Sequence, residues 1–166
     1  MLLQLSSAFR PKTNQHEELD LLLEIFAITK LAVECRNRDW MTAPRNKETL
    51  SFFRQRHTAL FTVDAPESEH FTVMPFSDEV TNPVLAYWRF HGRNEKAYIT
   101  GRNVPDRFDY DLLRRRTRKR RESHPTNQQL TQELHVVFNN NRSRFAPKAA
   151  AKLLQILEAN RAARVG

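Results

Sequence analysis

LAYWRFHGRN, residues 85–94, is an apolar run that becomes densely polar within a few residues. Its aliphatic and aromatic residues are those that a half-buried strand favours, and Gly92 lets the backbone leave that strand sharply. Arg89 and His91 have the same parity, so both project from one face. The stretch therefore predicts a buried strand that ends in a binding site. The alternative is a hydrogen-bonded core histidine beside a solvated rim of arginines.

Apolar segments of strand length alternate with helix-like segments along the rest of the chain. This alternation is typical of repeated β-α units and a mainly parallel sheet. The predicted helices cover Glu17–Thr29, Lys47–Arg56 and Ala149–Ala163, and the last follows Pro147, a residue that helix starts tolerate. The predicted strands are Leu2–Leu5, Leu31–Arg36, Ala59–Asp64, Leu85–His91 and Leu134–Asn139.

Composition narrows the class of protein. The chain has 166 residues, 40% of them hydrophobic, which fits one domain with a core of its own. Its single cysteine, Cys35, excludes an internal disulfide and a multi-cysteine zinc site, so a reducing, cytoplasmic setting is expected. No 18 apolar residues run together, and we therefore predict neither a signal peptide nor a membrane span.

The net charge of +8 is concentrated in one block, residues 114–121. Such a block can bind nucleic acid through phosphate contacts and counterion release, or it can be a solvated helix face or loop. No aromatic residues that could stack on bases are interleaved with it. The basic residues are Arg114, Arg115, Arg116, Arg118, Lys119, Arg120 and Arg121.

Polar side chains lie at or near the carboxyl ends of the last four predicted strands, where ligands bind in parallel β/α proteins. Within each strand the polar residues share a parity, so they are predicted to share a face with Arg89 and His91. Their neighbours of opposite parity are predicted to face outer helices: Val33, Cys35, Phe61, Val63, Trp88 and Phe90. The polar residues are Glu34, Arg36, Thr62, Asp64, Arg89, His91 and Asn139.

Several blocks, in this order, make the chain resemble the domain of unknown function 72 family, also called YecE-like. They are Leu3–Leu5, Leu31–Trp40, Val63–Pro66, Tyr87–Asn94, Arg107–Tyr110 and Val137–Asn141. The resemblance implies an α/β fold, a TIM (β/α)8 barrel. A complete barrel has eight strands, whereas the five strands here resemble the family's fourth to eighth.

We therefore expect residues 1–166 to form one partial TIM-barrel domain. Two open sheet edges in such a domain favour self-association or a partner chain. The chain also departs from the family at Ser6-Ser7, where paired prolines are usual, and at Leu112, which precedes the arginine block. Residues 112–127 are therefore interpreted as a basic, irregular, insertion-like segment, which Pro125 would interrupt as a helix.

The strand ends suggest a site for a small anion, because arginines bind phosphate or carboxylate through forked hydrogen bonds. Glu34, Asp64 and His91 are the candidate acids and bases, or they orient the arginines. A divalent metal is a competing hypothesis, which the single histidine and the nearby arginines oppose; no cofactor is predicted. The candidate ligand-binding residues are Arg36, Arg89, Arg93, Asn94, Asn139, Asn140 and Tyr110.

Three functional interpretations remain open. The first is an uncharacterised YecE-like protein with this anion-binding mouth; if it is an enzyme, we expect hydrolysis of a phosphorylated or nucleic-acid-like substrate. The second is a nucleic-acid-binding protein acting through residues 114–121, and the third is an inactive remnant. In a purely structural alternative, Glu34–Arg36 and Asp64–Arg89 are buried ion pairs without turnover.

Overall fold

The computed structural model describes residues 1–65, 68–77, 79–91, 131–139 and 145–165. In these ranges short parallel strands alternate with helices, and single 3-10 turns cover His16–Leu19 and Arg38–Trp40. The strands are β1 (Leu2–Gln4), β2 (Ala32–Glu34), β3 (Ala59–Leu60), β4 (Thr62–Asp64), β5 (Leu85–Phe90) and β6 (Glu133–Phe138). The α-helices are α1 (Asp20–Ile25), α2 (Arg45–Gln55) and α3 (Phe145–Val165).

The strands form two parallel three-stranded sheets, ordered β1-β2-β3 and β4-β5-β6. Only Phe61 separates β3 from β4, so the predicted strand Ala59–Asp64 is one extended segment whose two halves pair with different neighbours. Phe61 continues the first ladder, because its N–H donates to the carbonyl oxygen of Val33 at 2.8 Å. Each of the five predicted strands is thus confirmed in place and direction, and the predicted boundaries agree with the observed ones to within two residues.

The first predicted helix is shorter than its apolar periodicity indicated. The chain forms the 3-10 turn and α1 instead of one helix over Glu17–Thr29. Leu19 and Leu23 are buried, but Leu22 is 38% exposed. The predicted helix Lys47–Arg56 is confirmed as α2, which buries Leu50 and Phe53.

The main core lies between the sheets and the helices α1 and α2, and Trp40 is at its centre. Trp40 is fully buried, its ring stacks on Phe9 at 5.2 Å between centroids, and its indole N–H donates to the Phe9 carbonyl at 2.9 Å. This bond satisfies the one polar group of the indole, which burial would otherwise make costly. In the connection that follows β4, Val73 is buried, whereas Phe71 and Phe76 are about half exposed.

Helix α3 begins at Phe145, four residues before its predicted start, and Pro147 occupies its first turn. Proline is tolerated there because the first N–H groups of a helix have no intrahelical acceptor. The described residues leave much of its apolar surface uncovered, since Ile156 is 44% and Leu157 56% exposed while Ala149 is buried. Among the described residues, no helix has both the length and the hydropathy of a membrane span.

Candidate functional site

The strand register brings residues from four neighbouring strands to one face. Gln4 is the register partner of Glu34, and Arg89 is the partner of Val63. Partners in parallel strands project to the same side, because side chains alternate in phase along both. The Phe61 ring stacks on Tyr87 at 4.9 Å and so lies on this face as well.

A buried ion pair joins β2 and β5 at the carboxyl ends of the strands. Arg89 Nη1 lies 2.5 Å from Glu34 Oε2, with the two side chains 12% and 5% exposed. Gln4 Nε2 donates to the other carboxylate oxygen, Oε1, at 3.2 Å. The Arg89 guanidinium carbon is 4.9 Å from the centre of the Phe61 ring. Arg89 is thus held by one charge and by the face of one aromatic ring.

The structure differs from the sequence interpretation in two ways, the first of which concerns the structural alternative of Glu34–Arg36 and Asp64–Arg89 pairs. Glu34 pairs with Arg89 and not with Arg36, which is exposed, and the ion pair of Arg89 is therefore with Glu34 instead of Asp64. The second error is one of face: Phe61 was expected to point toward the helices, yet it contacts Arg89.

The register explains that second error. Thr62 and Asp64 have Trp88 and Phe90 as partners, so Val63 and not Asp64 shares the face of Arg89. The predicted common face for the polar residues of β4 and β5 is therefore wrong. The proposed acid-base role of Asp64 stays a prediction.

His91 follows β5 directly and is buried, with 7% of its surface exposed. Its backbone N–H donates to the Asp64 carbonyl oxygen at 2.9 Å, which fixes the chain where it leaves the strand. Burial, and after it the positive charges of Arg89 and Arg36, together lower the pKa of His91 to about 3. The imidazole is therefore neutral at neutral pH, and the field that it senses is positive.

Asn139 lies beside this cluster, because its backbone N–H donates to the Phe90 carbonyl oxygen at 2.8 Å. Its side chain is half-buried. Other predicted residues lie outside the described ranges: Arg93, Asn94, Tyr110, Asn140, the arginine block 114–121 and the whole segment 112–127. Their predicted roles stay predictions.

The hydrogen bonds of Glu34 place it to orient Arg89 and not to transfer a proton. Both carboxylate oxygens of Glu34 already accept hydrogen bonds, from Gln4 and Arg89, so Glu34 orients Arg89 in this geometry. In the described part of the chain, no group of three His, Cys, Asp or Glu side chains is placed to hold a metal ion. Cys35 is buried as predicted, and burial together with Glu34 raises the pKa of its thiol to about 12, so it is a poor nucleophile.

Sequence reasoning missed Gln4 and an aromatic layer below the ion pair. Gln4 interrupts the apolar residues of β1, and that interruption was the signal for an inward polar side chain. The layer crosses three neighbouring strands: the Tyr87 ring stacks on Phe61 and, at 4.5 Å, on His135. Only the register brings these rings together, because they are far apart in sequence.

The fold and the site define a parallel α/β protein with a buried arginine-glutamate pair at its strand ends. The chain belongs to the family described as Protein of unknown function DUF72, whose model matches residues 1–165. The resemblance found in the sequence is thereby confirmed.

Individual relatives agree with this assignment. The UPF0759 protein YunF of Bacillus subtilis (strain 168) is 30% identical over 134 residues, which are 76% of this chain and 46% of YunF. The crystal structure of a DUF72 family protein (EF0366) from Enterococcus faecalis V583 is 26% identical, with a TM-score of 0.71 over 95% of this chain and 60% of that one.

A second solved relative shows the fold alone. The DUF72 family protein TM1631 from Thermotoga maritima MSB8 is 23% identical, with a TM-score of 0.66, and the match covers 95% of this chain and 56% of that one. The chain thus spans about half the length of the curated relative that it matches, and less than two thirds of these solved structures.

Proposed function

We propose that this protein binds a small anion, phosphate or carboxylate, at the carboxyl ends of its strands, with Arg89 as the central contact. The observation that supports the proposal is the incomplete hydrogen bonding of the Arg89 guanidinium. Nη1 is paired with Glu34, whereas Nε is buried and donates to no acceptor among the described residues. A buried donor without an acceptor is costly, and an anion on the Nε edge of the guanidinium removes that cost.

The surroundings of Arg89 support the same ligand class. Arg36 is exposed, and its charge helps to lower the pKa of His91, so a second cation lies within electrostatic reach of this region. Neutral His91 adds a hydrogen-bonding group without a charge of its own. A phosphate or carboxylate here meets two guanidinium groups and one imidazole, a combination that favours negative charge.

Inorganic phosphate and citrate are the probes that test the proposal by isothermal titration calorimetry. Arg36→Gln removes one exposed cation and is expected to weaken binding about tenfold, the value of one charge-assisted contact. Arg89→Lys keeps the charge but loses the fork, and a similar or larger loss is expected. Lys152→Gln removes an exposed positive charge on α3 and is expected to leave the affinity unchanged.

Circular dichroism spectra of all variants establish that each is folded before affinities are compared. Two results contradict the proposal: no binding of either probe by the wild-type protein, or equal weakening by Arg36→Gln and Lys152→Gln. Comparison of the two probes decides between phosphate and carboxylate. Hydrolysis of a phosphorylated substrate stays a prediction from the sequence, and so does nucleic-acid binding by residues 114–121.

We further propose that the five strands are part of a (β/α)8 barrel, the architecture that the sequence resemblance implies, completed by another chain or a second copy. The parallel strands in chain order support it, as do the greater lengths of the solved relatives. Uncovered apolar side chains on α1 and α3, among them Leu21 at 67% and Leu154 at 57% exposure, indicate surfaces that a further chain can cover.

Size-exclusion chromatography with light scattering tests this association on the purified chain. We expect a mass of at least two chains, because open edges and uncovered apolar faces favour pairing. Dilution is expected to lower the melting temperature, since an associating protein is stabilised by mass action. A monomer whose cooperative melting does not depend on concentration contradicts the proposal.

A further inference from the structure

An open groove lies at the same end of the strands as the Arg89–Glu34 pair but is lined by different residues. It has a volume of about 840 Å³ and lies between the loop that follows β1 and the segments that follow β2. Arg10 and Lys12 line one side, Asn37 and Arg45 the other, and Phe71 contributes an aromatic ring. None of these residues contributes to the ion pair of Arg89, and none was predicted as a site residue.

The groove carries an excess of positive charge. Three cations line it, against one carboxylate, that of Asp39. Arg45 is 3.1 Å from Glu48, an exposed residue of the next helical turn that does not line the groove. Arg10 and Lys12 form no salt bridge with any residue in the ranges that the structure describes. Two cations without a salt-bridge partner in the described ranges thus line one groove, and their charge favours a multiply charged anion.

Hydrogen bonds hold the walls of the groove in place. Asn37 is 2% exposed, and its side chain donates to the Ser7 carbonyl oxygen at 3.1 Å and accepts from the Asp39 N–H at 3.1 Å. On the opposite wall, the Arg10 N–H donates to Asn14 Oδ1 at 3.2 Å. A groove whose backbone is fixed in this way pays little ordering entropy when a ligand binds.

Phe71 gives the groove an apolar surface beside its charges. The residue is 50% exposed, and the ring of His70 packs against it at 4.7 Å. The Phe71 carbonyl oxygen accepts from the Arg38 N–H at 2.8 Å, which ties this loop to the segment after β2. An exposed ring on a fixed backbone can stack on a planar ring of a ligand.

We propose that this groove binds a phosphate ester that carries an aromatic ring, of the nucleoside monophosphate class. The phosphate contacts Arg10, Lys12 and Arg45, and the planar ring stacks on Phe71. The volume of about 840 Å³ accommodates a ligand of this size. Because the site uses neither Arg89 nor Arg36, it goes beyond the anion-binding function proposed above.

Isothermal titration calorimetry with adenosine 5′-monophosphate, adenosine and inorganic phosphate tests the groove. For the monophosphate, Arg10→Gln/Lys12→Gln is expected to lower affinity at least about tenfold, because each cation contributes a charge-assisted contact. The matched control Lys148→Gln/Lys152→Gln removes two exposed charges on α3 and is expected to have no effect. Lys12→Gln alone is the milder variant if the double variant folds poorly.

The ring contact has its own measurement. Phe71→Ala is expected to lower the affinity for the monophosphate about fivefold or more, which is the scale of one stacking contact. The affinity for inorganic phosphate is expected to stay unchanged. The proposal is overturned if the wild-type protein does not bind the monophosphate, if adenosine binds equally well, or if the control double variant loses as much affinity. It is overturned as well if Phe71→Ala leaves the monophosphate affinity unchanged.

The two proposed sites can fail separately. If Arg36→Gln lowers the affinity for the monophosphate and Arg10→Gln/Lys12→Gln does not, the ligand occupies the Arg89 site. In that case the groove proposal alone is overturned. If the Arg10→Gln/Lys12→Gln variant loses the monophosphate while inorganic phosphate binding stays sensitive to Arg36→Gln, both proposals are supported.

Discussion

Replacing Glu34 by alanine is expected to lower the free energy of unfolding by about 3 to 5 kcal/mol. The two side chains of the Glu34–Arg89 pair are 5% and 12% exposed, so little water reaches the guanidinium once its partner is removed. An uncompensated buried charge is the costly outcome, and Gln4 also loses its acceptor, Glu34 Oε1. Urea unfolding followed by circular dichroism measures the loss.

Two further variants isolate the role of burial. Glu34→Ala/Arg89→Met removes both charges and is expected to recover much of the loss, because no isolated charge is left in the interior. Glu48→Ala breaks the exposed bridge to Arg45, in which Glu48 is 66% exposed, and is expected to cost less than about 1 kcal/mol. A Glu34→Ala loss as small as that of Glu48→Ala would show that the Arg89 pair is solvated.

The strands could be predicted from the sequence because burial on both faces selects continuous apolar runs. Leu31–Arg36 and Leu85–His91 stand out in this way, and both contain strands of the structure, β2 and β5. Helix α2 was predictable for a similar reason, since Leu50 and Phe53 recur at helical spacing. The first helix was overextended, because an apolar period does not show where the backbone hydrogen bonds stop.

The residues Glu34 and Arg89 could be predicted as site residues from the sequence, but the ion pair between them could not. Glu34 and Arg89 were singled out because both are charged residues at the ends of apolar strands. Parity within a strand gives the face of a residue relative to its own neighbours, but register between strands decides which faces coincide. Arg89 faces Val63 and the Phe61 ring for that reason, although the polar residues of that strand seemed the natural partners.

The contact of Gln4 could not be predicted either, because it depends on which strands pair. A single glutamine in a three-residue strand carries little information by itself, and only the pairing of β1 with β2 places it on Glu34. The face of α3 is the complementary case. Its apolar period was evident in the sequence, but the described residues leave Ile156 and Leu157 largely uncovered, so a pattern can predict a buried face without indicating what buries it.

Acid is expected to destabilise the protein through His91, by about 2 to 3 kcal/mol between pH 7 and pH 4.5. In the folded state the pKa of His91 is about 3, because of burial and then the charges of Arg89 and Arg36, whereas its ordinary value is 6.5. Above pH 6.5 the imidazole is neutral in both the folded and the unfolded state. His91 therefore makes no pH-dependent contribution to the free energy of unfolding in that range. As the pH falls from 6.5 toward 3, only the unfolded state takes up the proton, so the free energy of unfolding decreases across that window.

Urea unfolding at a series of pH values measures this decrease, and His91→Gln separates it from the carboxylates that titrate in the same range. The variant lacks the titrating group and is expected to show a shallower decline of unfolding free energy below pH 6.5, whatever its stability at pH 7. Burial lowers the pKa of His16 as well, so His16→Gln/His91→Gln is expected to be shallower still. Equal slopes for the wild-type protein and His91→Gln would contradict this prediction, because they would mean that His91 accepts a proton as readily in the folded state as in the unfolded state.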